Sequence, residues 1–113
     1  SNLEEYAATI NKLLENKGLR SYFEIRDGEV YLEKEIVDLS GNTKRIDRLI
    51  VKQGEVLIID YKSSKENNTA YYEQMLQYMK IIREIYPDLN VRGILVYLDD
   101  LSTEEINAKD RNV

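Results

Sequence analysis

The chain of 113 residues contains no cysteine and no histidine. The first absence removes disulfides, thiolate metal sites and cysteine nucleophiles. The second removes Ser-His-Asp triads, HExxH zinc sites and all imidazole acid–base chemistry. A metal could therefore sit only on oxygen ligands, which favours Mg²⁺, Mn²⁺ or Ca²⁺ over zinc. No apolar stretch approaches the ~18–20 residues of a membrane span, and no secretory signal pattern opens the chain. No membrane association is expected, and the expected location is cytoplasmic. Positive charge is also short: 16 Lys+Arg face 21 Asp+Glu, a net charge of −5. Taken alone, that balance argues against a stand-alone nucleic-acid binder.

What is present suits one small folded domain over residues 1–113, with 42% hydrophobic residues to supply a core. Ser1-Asn2 reads as the scar of a cleaved expression tag, which points to a piece of a larger protein. Leu3 to Lys17 has apolar residues (Leu3, Tyr6, Ala7, Ile10, Leu13, Leu14) at helical spacing and stops at Gly18. The period then changes to two, predicting strands over Arg20–Ile25, Glu29–Asp38, Lys44–Lys52 and Glu55–Lys62. Asp27-Gly28, Gly41-Asn42 and Gln53-Gly54 supply turns between them, so an antiparallel meander is expected. Asn67, Asn68 and Thr69 offer caps for a helix over Ala70–Tyr86, whose apolar side is Tyr71, Met75, Tyr78, Met79, Ile82, Ile85 and Tyr86. Pro87-Asp88 ends it, and the apolar run Val91–Leu98 predicts a strand buried on both faces. That strand should lie parallel to the one ending at Lys62, joined by a right-handed crossover. Ser102-Thr103-Glu104-Glu105 has capping-box spacing and predicts a short terminal helix before a frayed tail. The fold class is α/β, a mixed sheet flanked by helices.

The third and fourth predicted strands carry the chemistry. A symmetric hairpin at Gln53-Gly54 sets Asp47 directly opposite Asp60, where cross-strand Cβ atoms lie ~4.5–5.5 Å apart and like charges repel. Period two brings Lys62 to the same face, beside Val56 and Ile58. Two carboxylates at the rim of a core need a shared proton, a basic neighbour or a divalent cation. Lys62 alone could answer that need as a salt-bridged cluster, and this plain reading stands level with a metal site. In the second reading the Asp47 and Asp60 oxygens and the Tyr61 carbonyl hold Mg²⁺, and Lys62 orients or deprotonates a water or balances charge on a phosphate. That set suffices for metal-assisted phosphodiester hydrolysis without His or Cys.

Arg45-Ile46-Asp47-Arg48, then Ile58-Ile59-Asp60-Tyr61-Lys62-Ser63, then Gln74-Met75-Leu76-Gln77-Tyr78 resemble the DRI…IDYKT…QxxxY run of RecB-like nuclease domains in the PD-(D/E)XK superfamily. Such domains lie at the C-termini of UvrD/Rep-type helicases, including RecBCD and AddAB exonuclease subunits. The resemblance spans Glu29 to Leu98. It implies an αβββαβ restriction-endonuclease-like core and a C-terminal fragment of a helicase–nuclease. The activity it implies is a Mg²⁺-dependent, exonuclease-type DNA nuclease (Mn²⁺ as a second cofactor) serving DNA repair and recombination. The implied partners are DNA and the helicase portion of the parent polypeptide. It implies Asp47, Asp60 and Lys62 as catalytic residues, Asp47 and Asp60 as metal ligands, and Gln74 and Tyr78 as residues that shape the site and contact DNA.

One departure concerns a further family ligand, a His or Glu on a helix upstream of the strands. Glu4, Glu5 and Glu15 are the acids on the first predicted helix, and none matches that motif. Glu35 resembles a recurrent strand Glu of some helicase-linked domains, but a symmetric Gly41-Asn42 turn sets it opposite Arg48, on the face away from Asp47, as a salt-bridge partner. A missing ligand opens an alternative: a catalytically inactive nuclease-fold module for DNA binding or protein docking. A third reading is an ordinary interaction domain with an Asp/Lys cluster. Lys44, Arg45, Arg48 and Lys52 form a basic run read as a solvated strand face. Lys65 is read as a surface lysine, and Asp99-Asp100 as the start of a turn.

Overall fold

Alternating side chains in three successive segments, broken by short polar turns, build the front half of a five-stranded sheet. In the computed structural model, which describes residues 27–107 and, before them, residues 4, 5, 8, 11, 12, 15, 19, 20 and 22, β1 (Glu29–Val37), β2 (Thr43–Lys52) and β3 (Glu55–Lys62) form an antiparallel meander. Helix α1 (Asn68–Ile85) leads to β4 (Asn90–Tyr97), which pairs parallel to β3, and β5 (Thr103–Ile106) pairs antiparallel with β4. The strand order is β1-β2-β3-β4-β5. Among the described residues no helix is long and apolar enough to cross a membrane.

The sheet is covered on both faces. On one side Met75, Tyr78, Met79 and Ile82 of α1 pack with Leu49, Val56, Ile58, Val91 and Leu95. Gly93 permits this closeness, because a Cβ there would stand 2.6 Å from the Met75 side chain. On the other side Leu19 and Tyr22 pack with Ile50, Leu57, Ile59, Ile94 and Val96. With both faces covered, β4 is buried over nearly its whole length, as its apolar run predicts. Asn67 is the N-cap of α1, but its side chain makes no capping bond; its carbonyl takes the Tyr71 N–H instead. Of the expected apolar side of this helix, Ile85 is exposed.

The register of β2 on β3 is the symmetric one. Arg48 pairs with Ile59, Leu49 with Ile58 and Val51 with Val56, because Gly54 takes the positive φ of 86° that a tight turn requires. The β1–β2 register differs from expectation: Glu35 pairs with Arg45, and Arg48 faces Leu32. The cause is local. The Asp38 carboxylate accepts the N–H groups of Ser40 and Asn42, and Asp38 and Asn42 close the loop backbone. The loop is thereby centred on Ser40 rather than between Gly41 and Asn42. No salt bridge of Glu35 is found among the described residues. Between those pairs Glu33, at φ 52°, interrupts the ladder.

Two further expectations are corrected. Arg20 and Tyr22 are helical, as is Leu19 before them, so the strand predicted over Arg20–Ile25 does not form at Arg20 or Tyr22. A strand would have lengthened the sheet and left its second face bare, whereas a helical Leu19 buries itself on that face. The terminal segment is β5 rather than a helix. There Ile106 enters the core and Glu105 pairs with Arg92 at 2.7 Å, and these gains outweigh a capping box. Glu4, Glu5, Ala8, Asn11, Lys12 and Glu15 are helical and exposed, the polar side expected of the first helix. Its apolar side, residues 1 and 2, and the tail past residue 107 lie outside the described residues.

Candidate active site

The β2–β3 register continues by one step to set Asp47 across from Asp60, where the ladder gives way to side-chain bonds. The Asp47 carboxylate accepts the Tyr61 N–H at 2.9 Å, so it lies along the edge of β3 that its own strand has stopped covering. Asp60 is the one buried charged residue among those described, at 5% exposure. The Lys62 ammonium stands 2.9 Å from Asp60 Oδ2 and donates to Gln74 Oε1 at 2.8 Å. The ammonium has N–H donors for both oxygens, and Asp60 Oδ2, although buried, meets no partner other than this lysine. The third neighbour of the ammonium is the Tyr71 ring, with the nitrogen 4.7 Å from the centroid.

Tyr78 lies one turn past Gln74 on the same side of α1. Its ring is buried, and its hydroxyl donates to the Arg45 carbonyl at 3.2 Å. That bond pins the helix to β2 just ahead of Asp47. The five side chains singled out for the site in sequence, those of Asp47, Asp60, Lys62, Gln74 and Tyr78, therefore meet at one end of the sheet beneath α1. Tyr71 belongs to the predicted apolar side of the helix, and its packing does touch the core. Its contact with Lys62 was not readable, because an aromatic at helical spacing carries no mark of what its face meets.

The electrostatics follow from burial. Loss of water raises the Asp60 carboxyl to about 6; Asp47, close enough to share a hydrogen bond, pushes the same way, and Lys62 offsets part of the rise. Burial, followed by the charges of Asp60 and Asp47, lifts the Tyr78 phenol to about 12, so it stays a protonated donor. A buried carboxylate whose Oδ2 has a lysine as its one partner, beside a second carboxylate, fits a divalent cation. The Lys62 carbonyl accepts the Leu98 N–H just past β4, so strand alternation turns the Tyr61 carbonyl toward the Asp47 side, where a hard cation could use it as a third oxygen. Among the described residues no third acidic side chain joins the two. Glu4, Glu5, Glu15 and Glu35 are exposed.

The remaining charged residues take structural parts. Arg48 donates to the Tyr22 carbonyl at 3.1 Å, tying β2 to the N-terminal helical segment. Lys65 pairs with Asp100 at 3.2 Å and lies over the Tyr97 ring. Asp100 accepts the Ser102 N–H and hydroxyl, so Asp99-Asp100 does form a turn.

The sequence profile of the PD-(D/E)XK nuclease superfamily matches residues 3–112. Among solved structures, a repair endonuclease from Pyrococcus abyssi superposes with a TM-score of 0.53 at 26% identity, over 81% of this chain and 37% of that one. The chain thus spans little more than a third of that neighbour, and the shared part is a restriction-endonuclease-like α/β core. No curated protein sequence matches.

Proposed function

The chain belongs to the PD-(D/E)XK nuclease superfamily, and on that footing we propose that it is a Mg²⁺-dependent DNA nuclease domain with its centre at Asp47, Asp60 and Lys62. The observation that carries this reading is the buried Asp60 carboxylate, which has a second carboxylate beside it and an oxygen met by the Lys62 ammonium alone. Asp47, Asp60 and the Tyr61 carbonyl would hold the ion. When bound, a divalent cation supplies charge neutralisation at the phosphate and lowers the pKa of the attacking water. Lys62 lies against the same carboxylates and would balance charge on the scissile phosphate and orient the water as it attacks phosphorus and the P–O bond breaks. Gln74 holds Lys62 by its Oε1, leaving its amide NH₂ to meet the DNA backbone. Tyr78 keeps β2, and so Asp47, in place.

The motif text around these residues is RecB-like, which supports exonuclease-type action in the cytoplasm within a helicase–nuclease. The helicase portion would deliver a strand that a domain of net charge −5 does not attract by its own field. The neighbour named as a repair endonuclease supports a role in DNA repair. A second reading, a nuclease-fold module without catalysis, is favoured by one observation: two acidic side chains, and no third, meet among the described residues. Incubation of labelled single- and double-stranded DNA with the protein and its helicase-linked parent separates the two. The nuclease reading expects cleavage that needs Mg²⁺ or Mn²⁺, stops with chelator and is abolished by Asp60→Ala. DNA binding without cleavage by the parent supports the module.

A further inference from the structure

We propose that Tyr71 is a positioning residue for Lys62, its ring forming the third wall of the seat that holds the ammonium against Asp60. The inference rests on the nuclease reading for its kinetic consequence but not for the contact itself.

A lysine ammonium carries three N–H donors on a flexible four-carbon stem, and left alone it samples many rotamers. Here the side chain is 18% exposed, and its nitrogen has one neighbour in each of three directions. Asp60 Oδ2 lies at 2.9 Å, Gln74 Oε1 at 2.8 Å and the Tyr71 ring centroid at 4.7 Å. Tyr71 and Gln74 are three residues apart on α1, which presents ring and amide to the same point. The ring is itself held, packed against the main core at the first turn of the helix. An aromatic face suits this task better than another carboxylate. It attracts the cation through its quadrupole and adds no anion to a place where two carboxylates already repel. The ring also adds no further ion pair that an arriving phosphate would have to displace from the ammonium. The attraction belongs to the ring face and not to the hydroxyl, so phenylalanine should serve in its place.

The test compares Tyr71→Phe, Tyr71→Leu and Tyr71→Met, the last keeping a long apolar side chain in case leucine impairs folding. In metal-free protein with isotope-labelled lysine, the Lys62 ε-methylene is identified by its loss in Lys62→Arg. Its proton resonance is expected upfield of the other lysines in wild type and Tyr71→Phe, through the ring current, and at the ordinary position in Tyr71→Leu and Tyr71→Met. With DNA and Mg²⁺, kcat is expected to fall about 3- to 30-fold in the leucine and methionine variants with KM nearly unchanged, and to stay within about twofold in Tyr71→Phe. An ordinary Lys62 resonance in wild type overturns the proposal, as does a leucine or methionine variant that loses the shift but keeps wild-type kcat. Failure of Tyr71→Phe to restore kcat overturns it too. Absence of divalent-dependent cleavage in wild type, with the shift present and lost in Tyr71→Leu, upholds the seat and sinks the nuclease reading alone.

Discussion

Two lysine–aspartate pairs stand at the same end of the sheet and have opposite fates. Lys62 and Asp60 meet at 2.9 Å with side chains 18% and 7% exposed. Lys65 and Asp100 meet at 3.2 Å with both about half exposed. Each lysine lies over a tyrosine, Tyr71 in the first case and Tyr97 in the second. Yet the Asp60 carboxyl is raised, first by burial and then by Asp47. The Asp100 carboxyl is lowered, first by the bonds from Ser102. The difference lies in the surroundings. Asp100 has donors and water enough to stay ionised in comfort, and its pair is a clasp on a turn. Asp60 has a like charge beside it, an oxygen met by Lys62 alone and little water. A buried anion so placed carries a cost that a bound cation would relieve.

The comparison is broken most sharply in a cleavage assay. Asp60→Ala is expected to lower divalent-dependent DNA cleavage by roughly three orders of magnitude, since a ligand to the ion supplies several kcal/mol of transition-state stabilisation. Asp100→Asn and Lys65→Ala are expected to leave it within about twofold, and equal losses at both pairs would erase the distinction. A smaller effect is expected where α1 is seated on the sheet. Gly93→Ala drives a Cβ to 2.6 Å from Met75 and should cost about 1–3 kcal/mol in denaturant unfolding. Because α1 carries both Tyr71 and Gln74, the same variant should lower kcat more than any change at Lys65.

The smallest effect is in pH. With chelator present, the folded Asp60 carboxyl titrates near 6 against an ordinary 3.8. The folded state then binds the extra proton between those values, and stability contributed by this group rises as pH falls from 7 toward 4. The gain, measured against Asp60→Asn at each pH, should be roughly 1–2 kcal/mol. Asp100 has the reverse sign: its lowered carboxyl contributes stability above the ordinary carboxylate range, lost as pH falls through the lowered value. Denaturant curves that move in parallel for wild type and Asp60→Asn across this range would contradict the account of Asp60.

How much of this was legible in the sequence depended on what each signal was made of. The β2–β3 register could be read because Gln53-Gly54 makes a turn whose length is set by the backbone of one glycine. The β1–β2 register could not, because a side chain, the Asp38 carboxylate, recentres the loop. Asp47, Asp60 and Lys62 could be brought together by strand periodicity alone. Gln74 and Tyr78 could be placed beside them only through their resemblance to a known motif. The terminal strand is masked by a capping pattern at Ser102 and Glu105, because Glu105 serves equally well in a sheet, where it pairs with Arg92, and its neighbour Glu104 takes the Tyr97 hydroxyl. At Leu19, Arg20 and Tyr22 the need to cover the second face of the sheet decided the conformation, and that need is visible only once the sheet exists.

Metal binding at Asp47 and Asp60 is the claim on which the nuclease reading depends, and a thermal melt read against Mn²⁺ concentration tests it most directly. Wild type at pH 7 is expected to gain stability with added Mn²⁺, about 2.7 kcal/mol at a hundredfold excess over the dissociation constant. Asp100→Asn should follow the same curve, while Asp47→Asn and Asp60→Asn should stay flat. A melting temperature in wild type that does not move up to millimolar Mn²⁺, or a gain that survives in Asp60→Asn, would contradict the account.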